Sequence, residues 1–219
     1  MRVQTKENIM EESVDAVRRG LPNLNVHIEN MLKFNSNVIV CLNKYDTDSL
    51  EEIDIVRQCC NCYEIPFVIS DSYNKGGIGS VVLAKEVCDM CEKENDFRLL
   101  YDEFNSIEEK ISKLCTEVYH AGSIVYSDKA VQKLGEIKKL DFVNLPVCIS
   151  KTQYSISDDP KKLGYPIGHE MFVRDIELYN GAGFVTVLMG ETIKMPGLPK
   201  FPNYEKIDLD EENKIIGLS

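Results

Sequence analysis

VIVCLNKYDTDSLEEIDIVRQCCNCYEIPFVISDSYNKGGIGS, residues 38–80, is the stretch of sequence that decides the fold. Two short apolar runs, Val38–Leu42 and Pro66–Ser70, flank a segment with apolar residues at three- and four-residue steps, which is typical of an amphipathic helix. Ser49 and Glu52 have the spacing of a capping box, so the helix is predicted to begin there. Apolar runs that are joined through a helix predict neighbouring parallel strands with a right-handed crossover. The sequence therefore predicts an α/β fold built on a parallel sheet.

The loops that follow these two strands are the predicted functional site. Ligands of open parallel sheets bind beyond the carboxyl ends of the strands. Those ends carry Asn43–Thr47 and Ser70–Gly79, and the second loop contains the glycine-rich run KGGIG at 75–79. We therefore expect the two loops to lie side by side and to form one binding site.

The composition is that of an acidic globular protein. The 219 residues include 36 Asp and Glu against 25 Lys and Arg, which gives a formal net charge of −11. A nucleic-acid-binding protein needs a basic surface, so this charge argues against that class. No apolar run approaches the roughly 20 residues that span a bilayer, and the polar, acidic first residues do not resemble a signal peptide. We expect a cytoplasmic protein that binds neither nucleic acid nor membranes.

Eight cysteines raise the question of disulfides or a zinc site. Without a secretory signal, reduced thiols are the expectation. The clusters Cys59–Cys62 and Cys88–Cys91 together resemble a four-sulfur zinc site, but the first has C-x-C where such sites usually have C-x-x-C. Cys88 and Cys91 also fall in a predicted helix, Ser80–Lys93, where buried free cysteine packs as a small apolar residue. No metal ligand is therefore assigned.

The first part of the chain is predicted to form two helices, 5–19 and 24–34, separated by a break at Gly20-Leu21-Pro22. A protein that starts at its own beginning usually enters its core sooner, so this opening looks like the last helices of a preceding domain. The apolar face of these helices would then lack a partner domain. That face comprises Ile9, Val14, Val17 and Leu21. An isolated chain must expose this face or bury it again, and we expect self-association as the result.

The rest of the chain alternates helices with strands. Ser106 and Ser127 are predicted to begin two further helices. Strands are predicted at 124–126, 145–149, 172–178 and 184–188, and a small hairpin at 206–217. The polar segment Ser150–Gly168 is a long loop, and loops of this length in compact domains are often functional.

Seven phrases of the sequence, taken together and in order, resemble the C-terminal part of the formate–tetrahydrofolate ligase family. They are GLPNL (20–24) with HIEN (27–30), NKYDTD (43–48), KGGIG (75–79), NLPVCI (144–149), KTQYS (151–155) with SDDP (157–160), GAGF (181–184) and MPGLP (195–199). The match runs from about residue 7 to residue 219 without large gaps. Each phrase alone is weak evidence, but seven collinear phrases are specific.

The resemblance implies a domain organisation. Residues 1–25 would be the terminal helical remnant of a nucleotide-binding P-loop domain, and residues 26–219 the C-terminal α/β, folate-facing domain. The implied fold is a parallel-sheet, Rossmann-like domain with a small C-terminal β-rich region, preceded by helices left over from the P-loop domain. No G-x-x-x-x-G-K-[ST] motif occurs in this sequence, so the P-loop would lie in a part of the family that is missing here.

The resemblance also implies an activity and its partners. The family makes 10-formyltetrahydrofolate from formate, tetrahydrofolate and ATP. Tetrahydrofolate would be the substrate, and ATP and Mg would be bound chiefly by the missing half. That N-terminal P-loop half, if it is encoded separately, would be the partner. We expect this chain to supply the folate-binding wall and to be inactive alone, and no catalytic residue is assigned.

The resemblance places four residues at the folate site. Tyr45 and Tyr73 stand where the family stacks the pterin between two aromatic rings, and Ile69 and Asp46 would line the same pocket. Such stacking contributes on the order of 1 kcal/mol per ring pair beyond area burial. The family usually has phenylalanine at position 45, proline at 46 and tryptophan at 73. These differences leave open whether folate still binds.

Four further residues are weaker candidates for binding an anion. Lys44 and Lys75 could meet phosphate or glutamate groups, and Gly76 and Gly77 offer backbone N–H groups at a predicted helix start. The alternatives are ordinary solvated lysines and a tight turn. Two other functions also stay open: a non-catalytic module that binds a pterin or nucleotide, and a ligand-free remnant that serves as an interaction domain.

Overall fold

Helices and strands alternate along the part of the chain that the computed structural model describes, residues 11–192, 199–212 and 215–217. The α-helices are α1 (Val14–Leu32), α2 (Leu50–Cys62), α3 (Ser72–Lys75), α4 (Val81–Cys91), α5 (Ile107–Lys113) and α6 (Asp128–Lys139). The strands are β1 (Val40–Asn43), β2 (Phe67–Ser70), β3 (Ala121–Tyr126), β4 (Val147–Ser150), β5 (His169–Tyr179), β6 (Phe184–Met189), β7 (Asp208–Leu209) and β8 (Ile215–Ile216).

The predicted parallel pair of strands is confirmed. β1 and β2 pair in parallel, with Val40 opposite Phe67 and Asn43 opposite Ser70. α2 makes the crossover, and it begins at the predicted capping box. The Ser49 hydroxyl accepts the Glu52 N–H at 3.2 Å, and the Glu52 carboxylate accepts the Ser49 N–H at 3.1 Å. The α/β fold class follows from this unit.

The C-terminal part of the chain forms a second, four-stranded sheet in the order β3-β5-β6-β4. β3 pairs with β5 in parallel and β4 pairs with β6 in parallel, whereas β5 and β6 are antiparallel. The predicted strands at 172–178 and 184–188 are therefore the two central strands of this sheet. Their buried side chains, such as Ile176 and Val187, pack against α5 and α6 in the larger apolar core. β7 and β8 pair antiparallel at the predicted hairpin.

The predicted break at Gly20-Leu21-Pro22 is wrong, because α1 continues through Pro22 to Leu32. Proline at this position cannot donate a hydrogen bond to the Arg18 carbonyl. Both residues are exposed, so water can reach that carbonyl. The buried side of the helix, which includes Val26 and Ile28, supplies the packing that keeps one helix intact.

The apolar face expected to lack a partner is covered within the chain. Val17 is buried in a cluster with Ile55 and Cys60 of α2, and Val14 and Leu21 pack against the same cluster. Ile9 lies outside the described residues. The chain therefore buries part of this face within itself, and self-association stays a prediction. α1 also runs across the expected domain boundary at residue 25, and that boundary stays a prediction.

The expected burial of Cys88 and Cys91 is wrong. Both thiols of α4 are exposed, and Met90 is the buried residue of this helix. α4 packs mainly against β2 and against the Gly76–Ser80 turn that precedes α4, so the rest of the α4 surface faces outward. Within the described ranges, no helix combines the length and the apolar character needed to cross a membrane.

One buried carboxylate joins the starts of two helices. Glu52 is only 3% exposed, and it accepts the backbone N–H of Ser13 at 2.8 Å as well as that of Ser49. Ser13 caps α1 and Ser49 caps α2. A negative charge at a helix N-terminus is favourable because the first N–H groups of a helix have no intrahelical acceptor. Glu52 therefore fixes the position of α1 against α2.

We expect Glu52→Gln to lower the free energy of unfolding by about 1.5–3 kcal/mol, the range for a hydrogen bond to a charged group. Glutamine keeps the shape, but its NH₂ group would face one of the two N–H donors. The measurement is urea unfolding followed by circular dichroism. The matched control is Glu51→Gln, at an exposed position of the same first turn, where about 0.5 kcal/mol is expected. Equal midpoints for the two variants would contradict this role for Glu52.

Candidate functional site

The two loops expected to form the site do lie side by side. Because β1 and β2 are parallel and in register, Asn43 and Ser70 end next to each other. The Lys44 N–H extends the pairing by donating to the Ser70 carbonyl at 2.9 Å. The first loop then leads to α2 and the second to α3. Both loops leave the sheet at its carboxyl edge, where ligands of such sheets bind.

Tyr45 of the first loop and Tyr73 of α3 lie close together at this edge. Their ring centroids are 6.5 Å apart and the ring planes are inclined by 41°. Tyr45 is 53% exposed and Tyr73 is 73% exposed, so both rings present faces to solvent. Aromatic pairs at this separation attract each other weakly, without the contact of a packed core. The arrangement is an open pair of rings at the mouth of the site.

The loop that carries Tyr73 is closed by its own backbone. The Asp71 N–H donates to the Gly79 carbonyl at 3.1 Å, and the Lys75 N–H donates to the Asp71 carbonyl at 3.0 Å. A Cβ on Gly79 would lie 2.2 Å from the Asp71 carbonyl oxygen, which is too close for any side chain. Glycine at position 79 is therefore required for the loop to close over Asp71.

A network of polar side chains links the two loops, and sequence reasoning missed two of its members. Asn74 donates to the Asp46 carboxylate at 2.6 Å and to Asp71 at 2.9 Å. Asp71 also pairs with Lys75 at 2.8 Å. Asp46, expected on the wall of the pocket, thus ties the Tyr45 loop to the Tyr73 loop. Only the Asp-Ser-x-Asn-Lys spacing, which suits a capped turn, could have indicated Asp71 and Asn74.

These contacts change the charge equilibria of the loop. Hydrogen bonds from Lys75 and then Asn74 hold the pKa of the Asp71 carboxyl below its usual value, and the bond to Asp71 raises the pKa of Lys75. Because the folded pKa of Asp71 is lowered, its stabilising contribution exists above the pKa of the unfolded carboxyl and is lost as pH falls through the folded value. At neutral pH both partners are charged.

The remaining candidates divide into two groups. Ile69 is half-buried in β2, opposite Leu42, at the base of the site. Lys75 is engaged by Asp71, and Lys44 lies close enough to lower the pKa of Asp71 further. The positive charges of Lys44 and Lys75 therefore interact in part with the Asp71 carboxylate. Gly76 and Gly77 are exposed at the start of the Gly76–Ser80 turn.

A small cavity lies beside Tyr45. Its volume is about 120 Å³, and its walls include Val17 of α1, Leu42 of β1 and Glu52 of α2. Ligand pockets usually measure about 300–1,000 Å³, so this cavity is too small for a bicyclic ring with its tail. A flat ligand at this site would instead have to enter between the two exposed tyrosine rings.

The cysteine clusters do not form a metal site in the described part of the chain. No group of three or more His, Cys, Asp or Glu side chains is placed to hold a metal ion there. The thiol of Cys59 donates to the Asn25 side chain at 2.9 Å, and burial, followed by the neighbouring Cys59, raises the pKa of Cys60 to about 11. Burial thus favours the neutral thiol of Cys60, as for a cysteine packed in an apolar cluster.

Comparison with known proteins gives a consistent result. A family model described as formate–tetrahydrofolate ligase matches residues 2–219. Formate–tetrahydrofolate ligase of Petrotoga mobilis is 40% identical over 216 residues, which cover 99% of this chain and 39% of the relative. The ligases of Thermosipho africanus and Fervidobacterium nodosum are each 45% identical, and each match covers 98% of this chain and 38% of the relative. The chain therefore spans less than two-fifths of these relatives.

Gly79→Ala should destabilise the protein by at least about 2 kcal/mol, because a clash with backbone must be relieved by moving the Asp71 loop. Gly77→Ala is the control, since a Cβ there meets no atom within 4 Å. A change within about 1 kcal/mol is expected for the control. Thermal unfolding gives the stability, and hydrogen exchange of the Asp71 N–H reports the loop. Unchanged exchange in Gly79→Ala would show that the turn tolerates a side chain.

Proposed function

The chain belongs to the formate–tetrahydrofolate ligase family, and from this membership we propose that it is the C-terminal part of such a ligase and supplies the wall that binds tetrahydrofolate. The observation that carries the proposal is the pairing of Tyr45 with Tyr73 on two adjacent strand-end loops. The resemblance assigns the pterin to these positions, and the chain brings both rings to one place.

The spacing of the rings suits a flat ligand after a small adjustment. Carbon atoms in contact are about 3.5–4.0 Å apart, so a ring held between two others needs about 7–8 Å. The centroids of Tyr45 and Tyr73 are 6.5 Å apart, slightly less than this distance. Both side chains are exposed and can rotate toward parallel planes. The pterin would then replace the weak contact between the tyrosines with two stacking contacts.

Asp46 gives the proposed site a polar edge. Its carboxylate accepts a hydrogen bond from Asn74, so it is oriented at the rim of the ring pair. A carboxylate can accept N–H donors of a pterin ring, whereas it would repel the glutamate group of folate. We propose that Asp46 lies beside the ring end of the ligand and that Ile69 forms the base of the pocket.

The phosphate chemistry of the family reaction is proposed to belong to another polypeptide segment. When ATP is bound, it supplies the phosphoryl group that activates formate before the formyl group passes to N10 of tetrahydrofolate. This sequence lacks a P-loop, and its described residues hold no cluster suited to Mg. The residues present therefore fit the folate wall and not the ATP and Mg site. Lys44, Lys75, Gly76 and Gly77 could add weak attraction for an anionic group.

The partner proposed for this chain is the P-loop half of the ligase. In the described residues, β1 and β2 form a sheet with no third strand, and parallel sheets are usually larger and covered on both faces. α4 beside this sheet also exposes apolar side chains, with Val82 65% exposed. A partner that covers this region would complete the domain, and self-association is the alternative way to cover it. We further propose a cytoplasmic location, since eight thiols remain reduced in that compartment.

A second candidate function is a pterin-binding module without catalysis. It is favoured by Tyr45, Asp46 and Tyr73, which stand where the family usually has phenylalanine, proline and tryptophan. A ligand-free interaction domain is the remaining alternative. Binding and activity measurements separate the three functions, because only the ligase part acts with the P-loop half and only the remnant binds no folate.

We expect Tyr73→Ala to weaken tetrahydrofolate binding by about five- to a hundred-and-fifty-fold, since loss of a stacking ring costs about 1–3 kcal/mol. Tyr73→Trp should strengthen binding by offering a larger ring. The change Asp46→Pro combined with Tyr73→Trp restores both family residues, but it also removes the bond from Asn74, so the single variant is the cleaner test. Calorimetric titration gives the affinities.

The matched control is Tyr204→Ala, which removes a similarly exposed tyrosine far along the chain from both loops. Its affinity for tetrahydrofolate should equal that of the unchanged protein. If Tyr73→Ala also leaves the affinity unchanged, or if no variant binds, the assignment of the pterin pocket is wrong for this chain.

The purified chain should show neither ligase nor ATPase activity, because the groups that hold the phosphates are not in its sequence. Co-expression with the P-loop half of a ligase should restore formation of 10-formyltetrahydrofolate, measured spectrophotometrically. The control is the P-loop half co-expressed with the Tyr73→Ala variant of this chain, which should show a raised KM for tetrahydrofolate. Turnover by the chain alone, after rigorous removal of host ligase, would contradict the proposal.

A further inference from the structure

A cleft of about 690 Å³ lies between α1 and the polar loop 151–164, apart from the two tyrosines. Asn23 and His27 of α1 form one wall, and Lys151 and Tyr154 of the loop form the other. Tyr119 and the end of β4 form the floor. The volume falls within the range of about 300–1,000 Å³ that is typical of sites for small molecules. None of the residues of the Tyr45–Tyr73 site lines this cleft.

The loop wall is built rigidly. Ser155 and Ser157 are buried, and their hydroxyls lie 3.0 Å apart. The Ser157 hydroxyl donates to the Asp159 carbonyl at 3.1 Å, and the Asp158 carboxylate accepts the Phe172 N–H of β5 at 2.8 Å. A loop whose centre is buried and bonded to the sheet keeps one shape. The cleft is therefore preformed, which lowers the entropy cost of binding a ligand.

The charge of the cleft is opposite to that of the protein. The chain carries a net charge of −11, yet among the described residues that line the cleft there is no Asp or Glu. Lys151 is the single Lys or Arg among these lining residues. Amide and hydroxyl donors from Asn23, Gln153 and Ser150 accompany it. This combination of one cation with neutral donors favours an anionic ligand.

Lys151 is held in place with capacity to bind a ligand. Its ammonium lies 5.0 Å from the centre of the Tyr119 ring and donates to the carbonyls of Thr152 and Ser155. An ammonium has three N–H groups, so one remains for a ligand. Burial lowers the pKa of Lys151, and Asp158 opposes this shift. The Asp158 carboxylate itself accepts the Phe172 N–H, and the third N–H group of Lys151 can donate to an anionic ligand.

We propose that this cleft binds a small organic anion, a carboxylate or a phosphate, with its charge on Lys151 and its remainder against Tyr119 and Tyr154. Tyr154 is 66% exposed at the mouth, where an aromatic face is available to a ligand. The proposal concerns a site separate from the folate wall, and it holds or fails independently of the folate assignment.

The test uses inorganic phosphate and glutarate as probes, titrated at constant ionic strength into the ¹⁵N-labelled chain. Saturable shifts of the backbone signals of residues 151–164 and of His27 are expected in the millimolar range. The test variant is His27→Glu, which adds one negative charge to the wall at an exposed position. The control is Gln58→Glu, which adds the same charge at an exposed position of α2 outside the cleft.

His27→Glu should weaken the binding of the probes by about fivefold or more, because it places a like charge near the ligand. Gln58→Glu should leave it unchanged. Lys151→Met should abolish saturable binding. If that variant loses stability because the Thr152 and Ser155 carbonyls lose their donor, the comparison of His27→Glu with Gln58→Glu decides alone.

The two probes distinguish the chemical source of the anion. Saturation by phosphate alone indicates a phosphate group on the ligand, and saturation by glutarate alone indicates a carboxylate; either result, or saturation by both, supports the site. The proposal is overturned if neither probe saturates, or if His27→Glu and Gln58→Glu bind the probes equally well.

Discussion

The arrangement of the N-terminal half rests on one buried carboxylate, that of Glu52. It accepts N–H groups from Ser13 and Ser49, the residues that cap α1 and α2. A carboxylate this deeply buried is tolerable only when its oxygens are hydrogen-bonded, and helix N-termini provide the donors. The same side chain lines the small cavity beside Tyr45. The placement of α1, the start of α2 and the surroundings of Tyr45 therefore depend on a single group.

The candidate folate site depends on a second, more local constraint. Tyr45 lies in the loop after β1 and Tyr73 in the short helix α3, and the register of β1 with β2 brings these two segments together. Asn74 then bonds to Asp46 of one loop and Asp71 of the other. These polar contacts keep the separation of the two loops. The exposed rings of Tyr45 and Tyr73 can still rotate.

Short-range signals made much of the fold predictable. The capping boxes at Ser49 and Ser106 and the cap at Ser127 use contacts three residues apart, and each helix begins where predicted. The break predicted at Pro22 failed because buried neighbours on α1 outweigh the loss of one hydrogen bond. The Asn74–Asp46 bond joins residues 28 positions apart, and the walls of the cleft come from α1 and a distant loop. Such contacts depend on tertiary placement, which no local pattern encodes.

The unbroken length of α1 has a thermodynamic consequence. The helix lines the cavity beside Tyr45 at Val17 and the Lys151 cleft at His27, positions about 15 Å apart along the helix axis. If a ligand near either end shifts this helix as one body, the geometry at the other end changes with it. The two ligands would then alter each other's affinity by the same factor, as linkage requires. Pro22, which occurs between them without ending the helix, would set how stiffly that reciprocity is transmitted.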